Sequence, residues 1–281
     1  MGEKQECVIL MDNGSLRPEA TLSLRGLAEE LGARIDRKVF PVSLLHSSKV
    51  DAEKLGGQKA DVMVPFLKRQ YAAGVRRFLV VPLFFGPSAA FKEYLPGRLE
   101  ELRNEGLADL VVQFAEPMVA MDEVDREVAK VMADQVRAAI SEQGLDKPAV
   151  AMVDHGTPLR AVNEVRERVA VLMAEELGDE VSSVRACSME RREGEEYDFN
   201  EPLLERLLGS EGYTADVVVS LLFAAPGRHA GDGGDVNQIC QAALSGCPGL
   251  RVFRTGLYSE DAKKVSAILA ERYLKLTKGV V

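Results

Sequence analysis

The stretch Ala149-Val150-Ala151-Met152-Val153-Asp154-His155-Gly156-Thr157 passes from five apolar residues into a polar turn. Residues 161–177 then place Val162, Val165, Val169, Leu172 and Met173 at helical spacing. A short apolar run, a turn and an amphipathic stretch make a βα unit, and repetition of that unit along a chain predicts a parallel sheet covered by helices. Further strands are expected in the second half at 183–188, 217–223 and 251–254. In the first half they are expected at 7–11, 35–42, 78–83 and 110–114, with a helix over 19–31 whose apolar face holds Leu22, Leu24, Leu27, Ala28 and Leu31. The fold class is α/β, as two tandem domains that each carry a roughly four-stranded parallel sheet flanked by helices.

The two halves also match at particular loops. Asp12-Asn13-Gly14-Ser15 after the first strand of one half faces Asp154-His155-Gly156-Thr157 in the other. After the third strand, the nine residues from Pro82 to Ala90 lie without gaps over the nine from Leu221 to His229. Asn13 and Ala90 are 77 residues apart, His155 and His229 are 74 apart, and an internal duplication explains both spacings. The boundary is expected near 144–148, where a polar turn ends a long helix, giving domains 1–145 and 146–281.

The 281 residues, 46% hydrophobic and 28% charged, can bury a core in each half without disulfide or metal support. A formal net charge of -9 repels phosphate backbones and anionic lipid, so neither nucleic acid nor a membrane is an expected partner. An anionic small molecule would need a locally basic site. Cys7, Cys187, Cys240 and Cys247 show no metal or redox spacing and read as reduced core or helix residues. The N-terminal apolar run of five residues is too short for a signal peptide or a membrane span, and Glu6 stands where myristoylation prefers Ser or Thr. A cytoplasmic location is expected.

His155 and His229 both follow strands, and open parallel sheets bind ligands outside the carboxyl ends of their strands. Two of only three histidines at equivalent rim loops exceed what composition supplies. Taken singly, each admits a local role, His155 bonding its own turn or capping the next helix and His229 lying in a solvated loop. His46 reads as a turn residue. Glu190, after the second strand of the same half, can bring a carboxylate to the same rim, and two imidazoles with one carboxylate suit a borderline divalent metal. The Gly-rich segment from Pro226 to Asp235 feeds a helix N-terminus and can cradle an anion, with Arg228 as its charged partner. It matches neither nucleotide-binding fingerprint. Gly86-Pro87-Ser88-Ala89-Ala90 approximates a hydrolase nucleophile elbow but lacks the last glycine, and Pro87 precedes the serine.

Asp154-His155-Gly156-Thr157, Val162-Asn163-Glu164, Glu190 and Pro226-Gly227-Arg228-His229-Ala230-Gly231 together resemble the CbiX-type sirohydrochlorin chelatase family, class II chelatases that insert cobalt or iron into a reduced tetrapyrrole. The resemblance covers nearly the whole chain and is to the two-domain long form. It implies two chelatase-like domains facing a cleft, with His155 and His229 binding the incoming metal, Glu190 assisting, and no organic cofactor. It further implies that Arg228, Gly227, Gly231, Gly156 and Thr157 hold the macrocycle. In the first half Asn13, Ser43 and Ala90 are expected at the three matching reactive positions, which leaves one complete set per chain. Two domains in one chain point to a monomer. The alternative function is a non-catalytic tetrapyrrole or metal carrier derived from this family.

Overall fold

The computed structural model describes residues 6–88, 93–121, 125–231 and 233–278. The first sheet has the order β3-β2-β1-β4-β5 and is wholly parallel, from β1 (Glu6–Asp12), β2 (Val39–Ser43), β3 (Asp61–Val62), β4 (Arg77–Pro82) and β5 (Val111–Phe114). The second has the order β7-β6-β8-β9, also parallel, from β6 (Ala149–Asp154), β7 (Ser183–Ser188), β8 (Asp216–Leu221) and β9 (Arg251–Arg254). Burial on both faces explains why the central strands β1 and β6 are unbroken apolar runs rather than alternating ones. The α/β class and the eight expected strands are present, with ends shifted by a few residues. The two-residue β3 is an addition. Ile35 closes the first helix instead of opening β2, and Asp36 in the left-handed conformation (φ 52°) separates the two.

The helices are α1 (Pro18–Ile35), α2 (Met63–Ala72), α3 (Leu95–Asn104), α4 (Glu127–Gln143), α5 (Arg160–Leu177), α6 (Leu204–Leu207), α7 (Asp235–Gly246) and α8 (Ala262–Lys278). On α1 the residues Leu24, Leu27, Ala28 and Leu31 are buried, whereas Leu22 is 46% exposed. Two residues turn a helix by about 200°, so Leu22 and Leu24 cannot share a face.

The chain divides into one unit of Met1–Ala120 with Ala262–Val281 and a second of Met121–Asp261. This division differs from a cut at 145. The long helix α4, which Gly144 ends at φ 61°, buries Val128, Val131, Met132 and Val136 and packs on α5 and β8 of the second unit. Gln135 Nε2 fixes it by donating to the Leu257 carbonyl at 3.1 Å. The last helix, α8, packs on α1 and β4 of the first unit. There the 1%-exposed Arg272 donates to the carbonyls of Pro117 (3.1 Å) and Met118 (2.9 Å), and Arg34 Nε donates to Ser266 Oγ at 2.8 Å. Each sheet is therefore completed by the helix that follows the other in sequence.

The duplication is visible bond by bond. Leu44 N–H donates to Asp12 O and Met189 N–H to Asp154 O, both at 2.8 Å. Leu45 donates to Asn13 O and Glu190 to His155 O, both at 3.2 Å. Met118 bonds Phe84 O as Tyr258 bonds Phe223 O. In the strands, Asp12 pairs with Ser43 and Asp154 with Ser188. These pairings correct one expectation: Ser43 corresponds to Ser188, and the counterpart of Glu190 is Leu45. Ala90, expected opposite His229, lies outside the described residues.

Cys7, Cys187 and Cys240 are buried, Cys247 is partly so, and all four are free thiols. Among the described residues no helix is long and apolar enough to cross a membrane.

Candidate active site

Because β6 pairs in parallel with both β7 and β8, the loops that follow these three strands leave the same edge of the sheet. His155 directly follows β6, Glu190 lies two residues past β7, and His229 lies eight past β8. The two imidazoles meet edge to face, with ring centroids 4.6 Å apart and planes at 74°. Glu190 Oε1 is 3.4 Å from His155 Nε2. His46 is an exposed turn residue at φ 66°.

Hydrogen-bond partners assign the ring protons. A carbonyl oxygen only accepts, so His155 Nδ1, 3.1 Å from Gly156 O, is the protonated nitrogen of the neutral ring. The local bond considered from sequence is thus real, and it orients the ring. His229 Nδ1 lies 2.5 Å from Asp235 Oδ2, a carboxylate that fixes the same tautomer. Both rings are left with the Nε2 lone pair as donor. On His155 that nitrogen lies 3.4 Å from Glu190 Oε1. Among the described residues no three His, Cys, Asp or Glu side chains form a closed metal-holding group.

The turn carrying His155 rests on a buried polar cluster. Asp154 Oδ1 accepts from Gly156 N–H (3.0 Å) and from Ser188 Oγ (2.7 Å). Arg166, 1% exposed on α5, donates to Ser188 Oγ and to the carbonyls of Phe199 and Asn200 (both 3.2 Å), with its Nη1 3.6 Å from Asp154. Burial raises the Asp154 carboxyl above its ordinary range, and the Arg166 charge and the Ser188 bond oppose that rise. Asn200 locks the turn from the other side, accepting from Thr157 N–H at 3.0 Å and donating to Thr157 O at 2.9 Å. Gly156 sits at φ +90°, and a Cβ there would lie 1.8 Å from Glu190 O, so glycine is what lets the His155 and Glu190 loops touch.

Several expected substrate contacts are changed by this bonding. The N–H groups of Gly156 and Thr157 are engaged by Asp154 and Asn200, and that of Gly231 bonds Gly227 O at 3.3 Å, so none of the three is a free donor. The Thr157 hydroxyl accepts from Leu159 N–H at the entrance to α5. Arg228, 80% exposed and 3.8 Å from Asp235, remains open to a ligand anion. Asp235, Arg166 and Asn200 are the site residues that the sequence reading did not select. For Arg166 the signal was present: one arginine among the apolar residues of the α5 core face.

Two tandem parallel sheets flanked by helices, with rim loops of this kind, make the fold that of the CbiX-type class II chelatases. The chain is similar to SirB from Bacillus subtilis, solved with Fe3+, at 16% identity over 98% of both chains with a TM-score of 0.65. It is also similar to CbiX, the terminal enzyme for biosynthesis of siroheme in denitrifying bacteria, at 16% identity over 98% of this chain and 99% of that one, TM-score 0.62. A third likeness is to DR2241 from Deinococcus radiodurans, a multi-domain protein with structural similarity to chelatases and two additional novel domains. There 98% of this chain covers 55% of that one at 19% identity, TM-score 0.61. No family model and no curated protein matches the sequence.

Proposed function

We propose that the second unit takes up a divalent metal ion, cobalt or iron, on His155 and His229 and delivers it into a sirohydrochlorin-type tetrapyrrole, in cobalamin or siroheme biosynthesis. The observation that carries this reading is the meeting of two imidazoles, ring centroids 4.6 Å apart, with the Glu190 carboxylate 3.4 Å from Nε2 of His155. Two imidazoles hold a borderline metal without enclosing it, which suits an ion that must leave again. As the metal passes to the macrocycle, two pyrrole N–H protons are released, and Glu190 and the vacated imidazoles are placed to accept them. Asp235 keeps His229 in the tautomer that can donate. Arg228 is available for a peripheral carboxylate of the macrocycle. The likeness in fold to SirB and CbiX supports the same reaction class. The reading takes the chain as a monomeric cytoplasmic enzyme without an organic cofactor. The hydrolase reading gains nothing: the rim histidines are engaged with each other and with the carboxylates of Glu190 and Asp235.

The test is anaerobic spectrophotometry of sirohydrochlorin with cobalt(II), comparing no protein, wild type and the His155→Ala/His229→Ala variant. Accelerated insertion that the variant loses while staying folded is the expected result. Equal turnover by the variant would overturn the proposal, and spectral binding shifts without acceleration would favour the carrier.

A further inference from the structure

Beyond the histidine pair, the first unit holds a cavity of about 650 Å³ between α1 and the β2 side of its sheet. Five cations line it, Arg25, Arg37, Lys38, Lys59 and Arg69, against two carboxylates, Glu29 and Asp61. Arg69 pairs with Asp61 at 2.8 Å and Arg37 with Glu6 at 3.1 Å. Arg25 instead donates to the carbonyls of Leu55 (2.8 Å) and Gln58 (2.7 Å), which position its guanidinium without neutralising it. Lys38 lies 4.7 Å over the Phe40 ring. In a chain of net charge -9, this is a locally basic site. Its floor is apolar, from Leu24, Ala28, Phe40 and Pro41. Thr21, also in the lining, has a buried hydroxyl with no hydrogen-bond partner among the described residues.

The duplicate unit provides an internal control. Its corresponding groove, between α5 and β7, is smaller, about 460 Å³, and is lined by Glu167, Glu175 and Glu201 with Arg185 as its cation. The repeat has kept the groove while reversing its charge, which packing alone does not require. At the position of Arg166, whose buried side chain reaches Ser188 and Asn200, the first unit has Leu24, which lines its cavity.

We propose that this cavity is a binding site for a small organic anion with an apolar frame, separate from the metal-insertion chemistry. The frame packs on Phe40, Pro41 and Leu24, and the anionic group meets Arg25, Lys38 and Lys59. The probe is 8-anilinonaphthalene-1-sulfonate, titrated into the whole protein and followed by fluorescence. Saturable binding that weakens with salt is expected, with affinity falling roughly tenfold or more in the Lys38→Glu/Lys59→Glu variant. A charge-matched Lys49→Glu/Lys54→Glu variant, outside the lining, should bind as wild type does. The His155→Ala/His229→Ala variant should also retain binding, which separates this site from the proposed insertion activity. Absence of saturable binding, or equal affinity in the Lys38→Glu/Lys59→Glu variant, would overturn the proposal.

Discussion

Leu24 and Arg166 occupy the same place in the duplication, each the seventh residue of an 18-residue helix that follows the first strand of its unit. Both are buried, yet one is a hydrocarbon and the other a guanidinium beside a buried carboxylate. The first unit keeps the carboxylate, as Asp12, with Leu24 in place of the cation, and among the described residues one of its oxygens is buried without a partner. Burial accordingly pushes Asp12 up to about 6, although Ser43 and the Gly14 N–H oppose the rise.

Replacing Arg166 by Leu transfers the first unit's arrangement to the second. It leaves Asp154 buried without its cation and removes donors from Ser188, Phe199 and Asn200. Loss of one partner of a buried pair typically costs about 3–5 kcal/mol. Denaturant unfolding should show a loss of that order, and an unchanged midpoint would show that Arg166 is not supporting the His155 turn.

Asp12 makes the first unit sensitive to pH in a defined direction. Its carboxyl ionises near 3.8 in the unfolded chain and near 6 in the folded one, so the folded state binds the additional proton between those values. Its contribution to stability is complete below about pH 4 and is lost as pH rises through about 6, an effect of order 3 kcal/mol. Asp12→Asn should flatten the stability profile across this window and raise stability at pH 7. A profile identical to wild type would exclude Asp12 as the titrating group.

Asp235 is a positioning residue for His229. Its replacement by Ala removes the acceptor at Nδ1 and frees the ring to rotate and change tautomer. Cobalt(II) affinity is expected to fall roughly 10- to 100-fold with the melting temperature little changed. The measurement is a cobalt titration by visible absorbance beside a thermal scan, and undiminished affinity would remove Asp235 from the site.

Gly14 and Gly156 allow a paired comparison. Both have φ near +90°, and at each a Cβ would fall 1.8 Å from a carbonyl oxygen, of Leu45 or of Glu190. Alanine at either position should destabilise the protein by about 2 kcal/mol or more. Metal affinity should suffer only with Gly156→Ala, because only that turn carries His155 and abuts Glu190. An equal loss with Gly14→Ala would contradict the assignment of the site to the second unit.

The sequence made the eight longer strands and the histidine pair legible because each depends on local pattern: apolar runs for the strands, and rim loops placed by the strands for the histidines. β3 escaped because two residues carry no periodicity. Ser43 was matched to Glu190 because no motif anchors the segment after β2, and only the parallel bonds of Leu45 and Glu190 to their partner loops fix that alignment. Apolar periodicity showed that α4 and α8 have core faces but not which core each covers, since a helix face does not name its partner. Asp235 was hidden for a related reason. It lies six positions after His229, across a glycine-rich stretch, and only the start of α7 folds it back onto the ring.

The exchange of α4 and α8 also sets an order on biosynthesis. The second unit is one uninterrupted segment and can close as soon as it leaves the ribosome. The first sheet is translated earlier but must wait for residues 262–278, and its contact between Arg34 and Ser266 joins positions 232 residues apart. Contacts at such separation slow folding, so the part made first is expected to be the last to mature, with the flank of α1 that α8 covers exposed to chaperones in the interval.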